Sequence, residues 1–114
     1  MPNEQSDLDR VFHCLADPSR RAMVARLVDG PATVSELAEP LTMALPSVLQ
    51  HLKVLEDSGL IRSEKAGRVR TCQLEPARLS EAEAWLMQQR ALWEKRLDRL
   101  GAYLETLQAQ EKKE

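Results

Sequence analysis

Cysteine is nearly absent: Cys14 and Cys72 are the only two in 114 residues. Two are too few for a disulfide framework, and their separation is not a metal-ligand spacing. Both are expected to be reduced and partly buried. Histidine is as scarce, with His13 and His51 alone. No Gly-rich phosphate loop and no nucleophile–base constellation occur, so nothing marks an enzyme. The acidic and basic side chains are scattered, as on solvated helix faces. No apolar run approaches the roughly 18–20 residues that a bilayer requires. Met1-Pro-Asn-Glu-Gln-Ser-Asp7 lacks the basic and apolar regions of a signal peptide. A cytoplasmic protein without membrane association is therefore expected. The length suits one domain over 1–114, or one domain with an appended helix. Its core would be modest, and a partner chain would help it.

Net positive charge is missing too: the formal charge is -2. It is unevenly spread. Residues 1–43 carry four Arg against seven acids, and residues 75–114 carry seven basic groups against eight acidic. Between them, residues 44–74 carry five basic groups against three acids, a local +2. An acidic remainder disfavours indiscriminate polyanion binding but leaves room for a basic contact patch.

That basic segment holds the most informative stretch, Leu45-Pro-Ser-Val-Leu-Gln-His-Leu-Lys-Val-Leu-Glu-Asp-Ser-Gly-Leu-Ile-Arg62. Val48, Leu52, Leu55 and Leu60 supply a buried stripe; Pro46, Gln50, Lys53 and Asp57 fall on the opposite side. The pattern predicts a helix over 45–58, stopped by Gly59 in a left-handed backbone. Upstream, Leu8, Val11, Phe12 and Leu15 predict a helix over 7–16. Asp17-Pro18-Ser19 ends it and caps a second over 18–29. Thr33-Val-Ser-Glu36 fits a capping box and opens a short third helix over 33–39, limited by Pro40. Downstream, residues 60–74 read as a hairpin with Gly67 at its tip and several Arg and Lys outward; Pro76 closes it.

From 79 to 108 the pattern is one long helix. Leu86, Trp93, Leu97, Leu100, Leu104 and Leu107 follow a near-heptad seam, widened by Trp85, Leu92 and Tyr103. Such a face needs a mate. Its own domain would cover part of it, and the length favours a helix from a second subunit. The tail from Gln110 is expected to fray.

The fold class is thus mainly α with a small β-hairpin. A short helix, a turn and a helix polar on one side make a helix-turn-helix, and the hairpin behind it would be a wing. In that reading the 45–58 helix enters a major groove, and Arg68 and Arg70 reach an adjacent phosphate or minor groove. The alternative is a small helical domain that binds no nucleic acid and serves protein interaction or dimerisation.

Leu15-Ala-Asp-Pro-Ser-Arg-Arg21, Val34-Ser-Glu-Leu-Ala38, His51-Leu-Lys-Val-Leu-Glu56, Gly59-Leu-Ile and Gly67-Arg-Val-Arg70, in this order and spacing, resemble the ArsR/SmtB family of bacterial winged helix-turn-helix repressors. The resemblance covers roughly residues 8–74, with the long terminal helix also where the family has it. It implies a homodimeric repressor that binds an inverted-repeat, double-stranded DNA operator. Its dimer interface would come from the first and last helices, here Leu8, Val11, Phe12, Leu86, Trp93, Leu97, Leu100 and Leu104. Ser47, Gln50 and His51 match positions where the family contacts bases or phosphates, and Lys53 suits a phosphate. For His51 a packing and hydrogen-bonding role at the helix–wing junction weighs equally.

Two departures stand out. Leu45 and Leu49 cannot hydrogen-bond a base, though either can pack on a thymine methyl; for Leu49, packing on the third helix is slightly favoured. Many relatives sense metals through a Cys-x-Cys pair or through histidines on the terminal helix. Here the pair is Thr33 and Ser35, and no histidine follows His51, so no metal site and no cofactor are expected. A thiol-redox switch through Cys14 and Cys72 would require their Cα atoms within about 7 Å. A small apolar effector between the first and terminal helices, lined by Trp85 and Trp93, is a further alternative to plain packing of those rings.

Overall fold

Asp17 and Pro18 divide the first two helices by local chemistry. In the computed structural model, which describes residues 4–112 and the side chains of 7–112, α1 spans Glu4–Leu15 and α2 spans Pro18–Val28. The Asp17 carboxylate accepts from the Arg20 amide at 3.0 Å, and Pro18 fills the first turn, where its missing N–H costs nothing. A two-residue strand, β1 (Ala32–Thr33), leads into α3 (Val34–Ala38), followed by α4 (Leu45–Asp57). The hairpin is β2 (Ile61–Ala66) and β3 (Val69–Leu74), and α5 runs Pro76–Lys112.

The chain divides into two compact units, residues 1–82 and 83–114. In the first, the three strands form an antiparallel sheet in the order β1-β3-β2. Ile61 faces Leu74, Ala66 faces Val69, and Ala32 pairs with Cys72. Gly67 takes a φ of 63° at the first of two turn positions, as the tight hairpin requires. The core gathers Val11 and Cys14 from α1, Met23 and Leu27 from α2, and Leu37 from α3. Val48, Leu52 and Leu55 from α4 join them, with Leu60, Ile61 and Cys72 from the sheet region. Burying each large aliphatic side chain contributes about 1.5–3 kcal/mol. The second unit holds the remainder of α5 as far as Lys112, and none of its described residues is buried.

Several bounds depart from the sequence reading. β1 was not foreseen, because two residues carry no alternation; its register comes from pairing with β3. α1 begins at Glu4 rather than 7. α5 starts at Pro76 rather than 79, since the proline that closes the hairpin also suits a helix N-terminus. It also continues to Lys112, past the expected fraying at Gln110; Lys113 and Glu114 lie outside the described residues.

Candidate nucleic-acid interface

Val48, Leu52 and Leu55 are all fully buried, which fixes the rotation of α4 about its axis. The opposite side then presents Pro46, Ser47, Gln50, Lys53 and Asp57 to solvent. No side chain caps the start of α4; Ala44 stands at the cap, and Pro46 lies in the first turn. Its end is secured by Ser58, which is buried. The Ser58 hydroxyl donates to the Leu55 carbonyl at 2.7 Å and accepts from the Leu60 amide at 3.3 Å. Gly59, at a φ of 80°, turns the chain into β2. The Arg78 side chain lies over it, and Arg78 bonds Asp7 and Glu81, each at 3.0 Å.

His51 has a defined partner that the sequence reading missed. An Arg20 guanidinium N–H meets its Nδ1 at 3.1 Å. Arginine has no acceptor, so Nδ1 must supply the lone pair and the ring proton sits on Nε2. The Asp17 carboxylate lies 3.9 Å from the same nitrogen, beyond hydrogen-bond reach. Arg20 is itself held by the carbonyls of Cys14 at 2.7 Å and His13 at 3.2 Å. His51 is therefore braced on α2, not at the junction with the wing. No local spacing signals this contact, because Arg20 and His51 stand on different helices, 31 residues apart in the chain.

The hairpin places its two arginines differently. Arg68 is exposed in the turn, and among the described residues no hydrogen bond or ion pair engages it. Arg70 is turned inward. Its guanidinium pairs with Glu56 of α4 and donates to Ser63 at 2.9 Å, while Ser63 donates to the same Glu56. The expectation that Arg70 reaches outward to a phosphate is thus corrected: one side of the hairpin faces α4, and the carboxylate there claims the charge. Between α4, the start of α3 and the hairpin lies an open concavity of about 700 Å³. Leu45 and Leu49 line it, 55% and 40% exposed, with Val69 across from them and Lys65 and Arg68 on the hairpin side. Leu49 is thus partly covered, with 40% of its surface exposed, beside the start of α3.

Thr33 caps α3: its hydroxyl accepts from the Glu36 amide at 3.2 Å, and Glu36 accepts back from the Thr33 amide at 3.4 Å. The Thr33 hydroxyl and amide hold the Glu36 carboxyl below its usual pKa. Among the described residues no three His, Cys, Asp or Glu side chains gather as metal ligands. Cys14 and Cys72 are fully buried, and burial pushes both thiols up from their ordinary value, against the opposing pull of Ser58 and Arg20 on Cys14 and of Arg70 on Cys72.

Of the expected dimer-interface residues, Val11 is 1% exposed and belongs to the core of its own chain, because its position on α1 faces α2 and α4. Leu8 and Phe12 are half-buried beside that core. On the second unit Leu86, Trp93, Leu97, Leu100 and Leu104 are all exposed, with Leu92, Tyr103 and Leu107. No helix among the described residues is long and apolar enough to cross a membrane.

A three-stranded sheet ending in a hairpin, with α3, a turn and a core-anchored α4 beside it, is a winged helix-turn-helix. The chain belongs to the ArsR family of transcriptional regulators, DNA-binding proteins and not enzymes. A helix-turn-helix domain family matches residues 15–64. The chain is 47% identical over 72 residues to the HTH-type transcriptional regulator Rv2034 of Mycobacterium tuberculosis (strain ATCC 25618 / H37Rv), spanning 63% of this chain and 67% of that one. It is 26% identical over 80 residues to the transcriptional repressor SdpR of Bacillus subtilis (strain 168), covering 70% and 89%. Among solved structures, the ArsR family transcriptional regulator RHA00566 aligns with a TM-score of 0.77 at 54% identity, over 82% of this chain and 97% of that one.

Proposed function

We propose that the chain is a homodimeric repressor in the cytoplasm that binds an inverted-repeat operator, with residues 1–114 acting as a single winged-helix module. The observation that carries this is the rotation of α4: Val48, Leu52 and Leu55 anchor it, so Ser47, Gln50 and Lys53 point outward together. Gln50 is suited to pair with an adenine edge through two hydrogen bonds, and Ser47 to bond a base or phosphate. Lys53 and Arg68 are free cations for phosphates, which position without specifying. His51 offers its Nε2–H as a single donor. Each subunit would place α4 in one major groove, with the half-sites about one helical turn apart.

Homodimerisation is supported by the exposed apolar seam from Leu86 to Leu107, which water does not favour. Burial of both thiols weighs against a redox signal through Cys14 and Cys72. The operator is to be found by selecting bound duplexes from a random library, followed by fluorescence anisotropy. Gln50→Ala is expected to relax preference at one position, costing roughly 1–3 kcal/mol. Arg68→Ala should weaken all duplexes alike and reduce the salt slope by about one unit. Selection that yields no symmetric site, or affinities untouched by both substitutions, would sink this reading.

A further inference from the structure

The concavity beside α4 combines features that a solvated surface has no use for. Leu45 and Leu49, one helical turn apart and 55% and 40% exposed, line it, and Val69, 52% exposed, forms the facing wall. Three branched aliphatic side chains thus meet water, although the core of residues 1–82 is already filled from every element that surrounds it. The rim is cationic: Lys65 and Arg68 stand on it, and no acidic side chain lines the depression among the described residues. A partner that fits is an anionic surface bearing small apolar projections. On the major-groove side of duplex DNA one group has that character, the thymine 5-methyl, set among phosphates.

We propose that Leu45 and Leu49, walled by Val69, form an apolar notch that receives thymine methyl groups and makes base preference at those positions methyl-dependent. The proposal rests on the reading of α4 as the groove-facing helix. It adds a second kind of readout to that of Gln50: the amide discriminates by hydrogen bonds, and the notch by contact with a methyl. The two act on different bases, because Gln50 lies on the outermost face of α4 and the leucines on the side toward the hairpin. Lys65 and Arg68 hold the phosphate strand beside the notch without reading it.

The test uses the full chain and the duplex recovered by selection from a random library. Each thymine is replaced singly by deoxyuridine, which removes the methyl and leaves the Watson–Crick edge unchanged. At one or two positions per half-site the replacement is expected to weaken binding roughly threefold to fivefold, the value of one apolar carbon removed from contact. Elsewhere in the site it should change little. In the double variant Leu45→Ala, Leu49→Ala that sensitivity should vanish, while the protein stays folded, with only a modest drop in melting temperature, because neither side chain belongs to the buried core. If the double variant binds too weakly to compare, the single variants Leu45→Ala and Leu49→Ala decide by the same criterion.

A selected site lacking thymine, a wild-type protein indifferent to every methyl, or leucine variants that keep the full thymine-to-deoxyuridine difference would each overturn the notch. All three outcomes leave DNA binding intact. A protein that selects no duplex fails the reading of α4 itself, and the two failures are therefore distinct.

Discussion

At the scale of single residues, charge placement matters more than charge count. Arg20, Arg68 and Arg70 all belong to segments that carry the family resemblance, yet their surroundings assign three different tasks. Arg20 bonds His51 and the end of α1, so it works through another residue. Arg20→Ala should leave Nδ1 of His51 without its donor and release the ring to both tautomers. Imidazole ¹⁵N shifts would report this directly, with affinity for the selected duplex falling by about tenfold and Arg20→Lys restoring part of it. Unchanged ¹⁵N shifts would disprove the brace. Arg70 satisfies Glu56 and Ser63. Arg70→Ala should therefore lower stability by about 1–3 kcal/mol, because a partly buried carboxylate loses its charged donor. It should leave the salt slope of DNA binding unaltered, unlike Arg68→Ala. Equal loss of slope in the two variants would place Arg70 on the DNA after all.

At the scale of elements, caps and turns decide where each helix stands. Thr33→Ala removes a hydroxyl that holds both the α3 amide and Glu36, and should cost about 1 kcal/mol in urea unfolding. The Asp17 carboxyl, through the Arg20 amide first, and the Glu36 carboxyl, through Thr33 first, both sit below their usual pKa. A depressed folded-state pKa contributes stability above the unfolded value. That contribution is present at neutral pH and is lost as pH falls through the depressed values. Thr33→Ala should flatten part of this acid limb; a limb identical to the parent's would refute the link. These caps were readable in the sequence because Asp17-Pro18 and Thr33-x-x-Glu36 act within one helical turn. The buried stripe of α4 was readable for a like reason, since Val48, Leu52 and Leu55 repeat at helical spacing. β1 and the inward turn of Arg70 were not. Both depend on contacts between residues far apart in the chain, Ala32 with Cys72 and Arg70 with Glu56, for which no local period exists. The site shows the same division: Ser47, Gln50 and Lys53 follow from the face of one helix, whereas the concavity of Leu45, Leu49 and Val69 requires two elements to meet.

At the scale of the whole molecule, residues 83–112 pose a solvation problem that one chain does not solve. Leu86, Trp93, Leu97, Leu100 and Leu104 are each about half exposed on a helix none of whose residues in this stretch is buried. Contiguous apolar surface of this kind marks an interaction site. The near-heptad spacing suits a helix of a second copy, with bulky side chains interleaving along the seam. In the proposed dimer symmetry would carry a functional consequence, because two reading helices held at a fixed separation would bind two half-sites as one intramolecular event. Leu97→Asp with Leu100→Asp should convert a dimer into a monomer in sedimentation equilibrium at micromolar concentration. The fold of residues 1–82 should persist, since neither side chain belongs to its core. Affinity for the complete inverted repeat should fall by about 10²-fold or more, while the weak affinity for an isolated half-site stays the same. A wild-type protein that sediments only as a monomer would remove the seam from this role. A double variant that remains dimeric would move the interface to α1, where Leu8 is only partly buried.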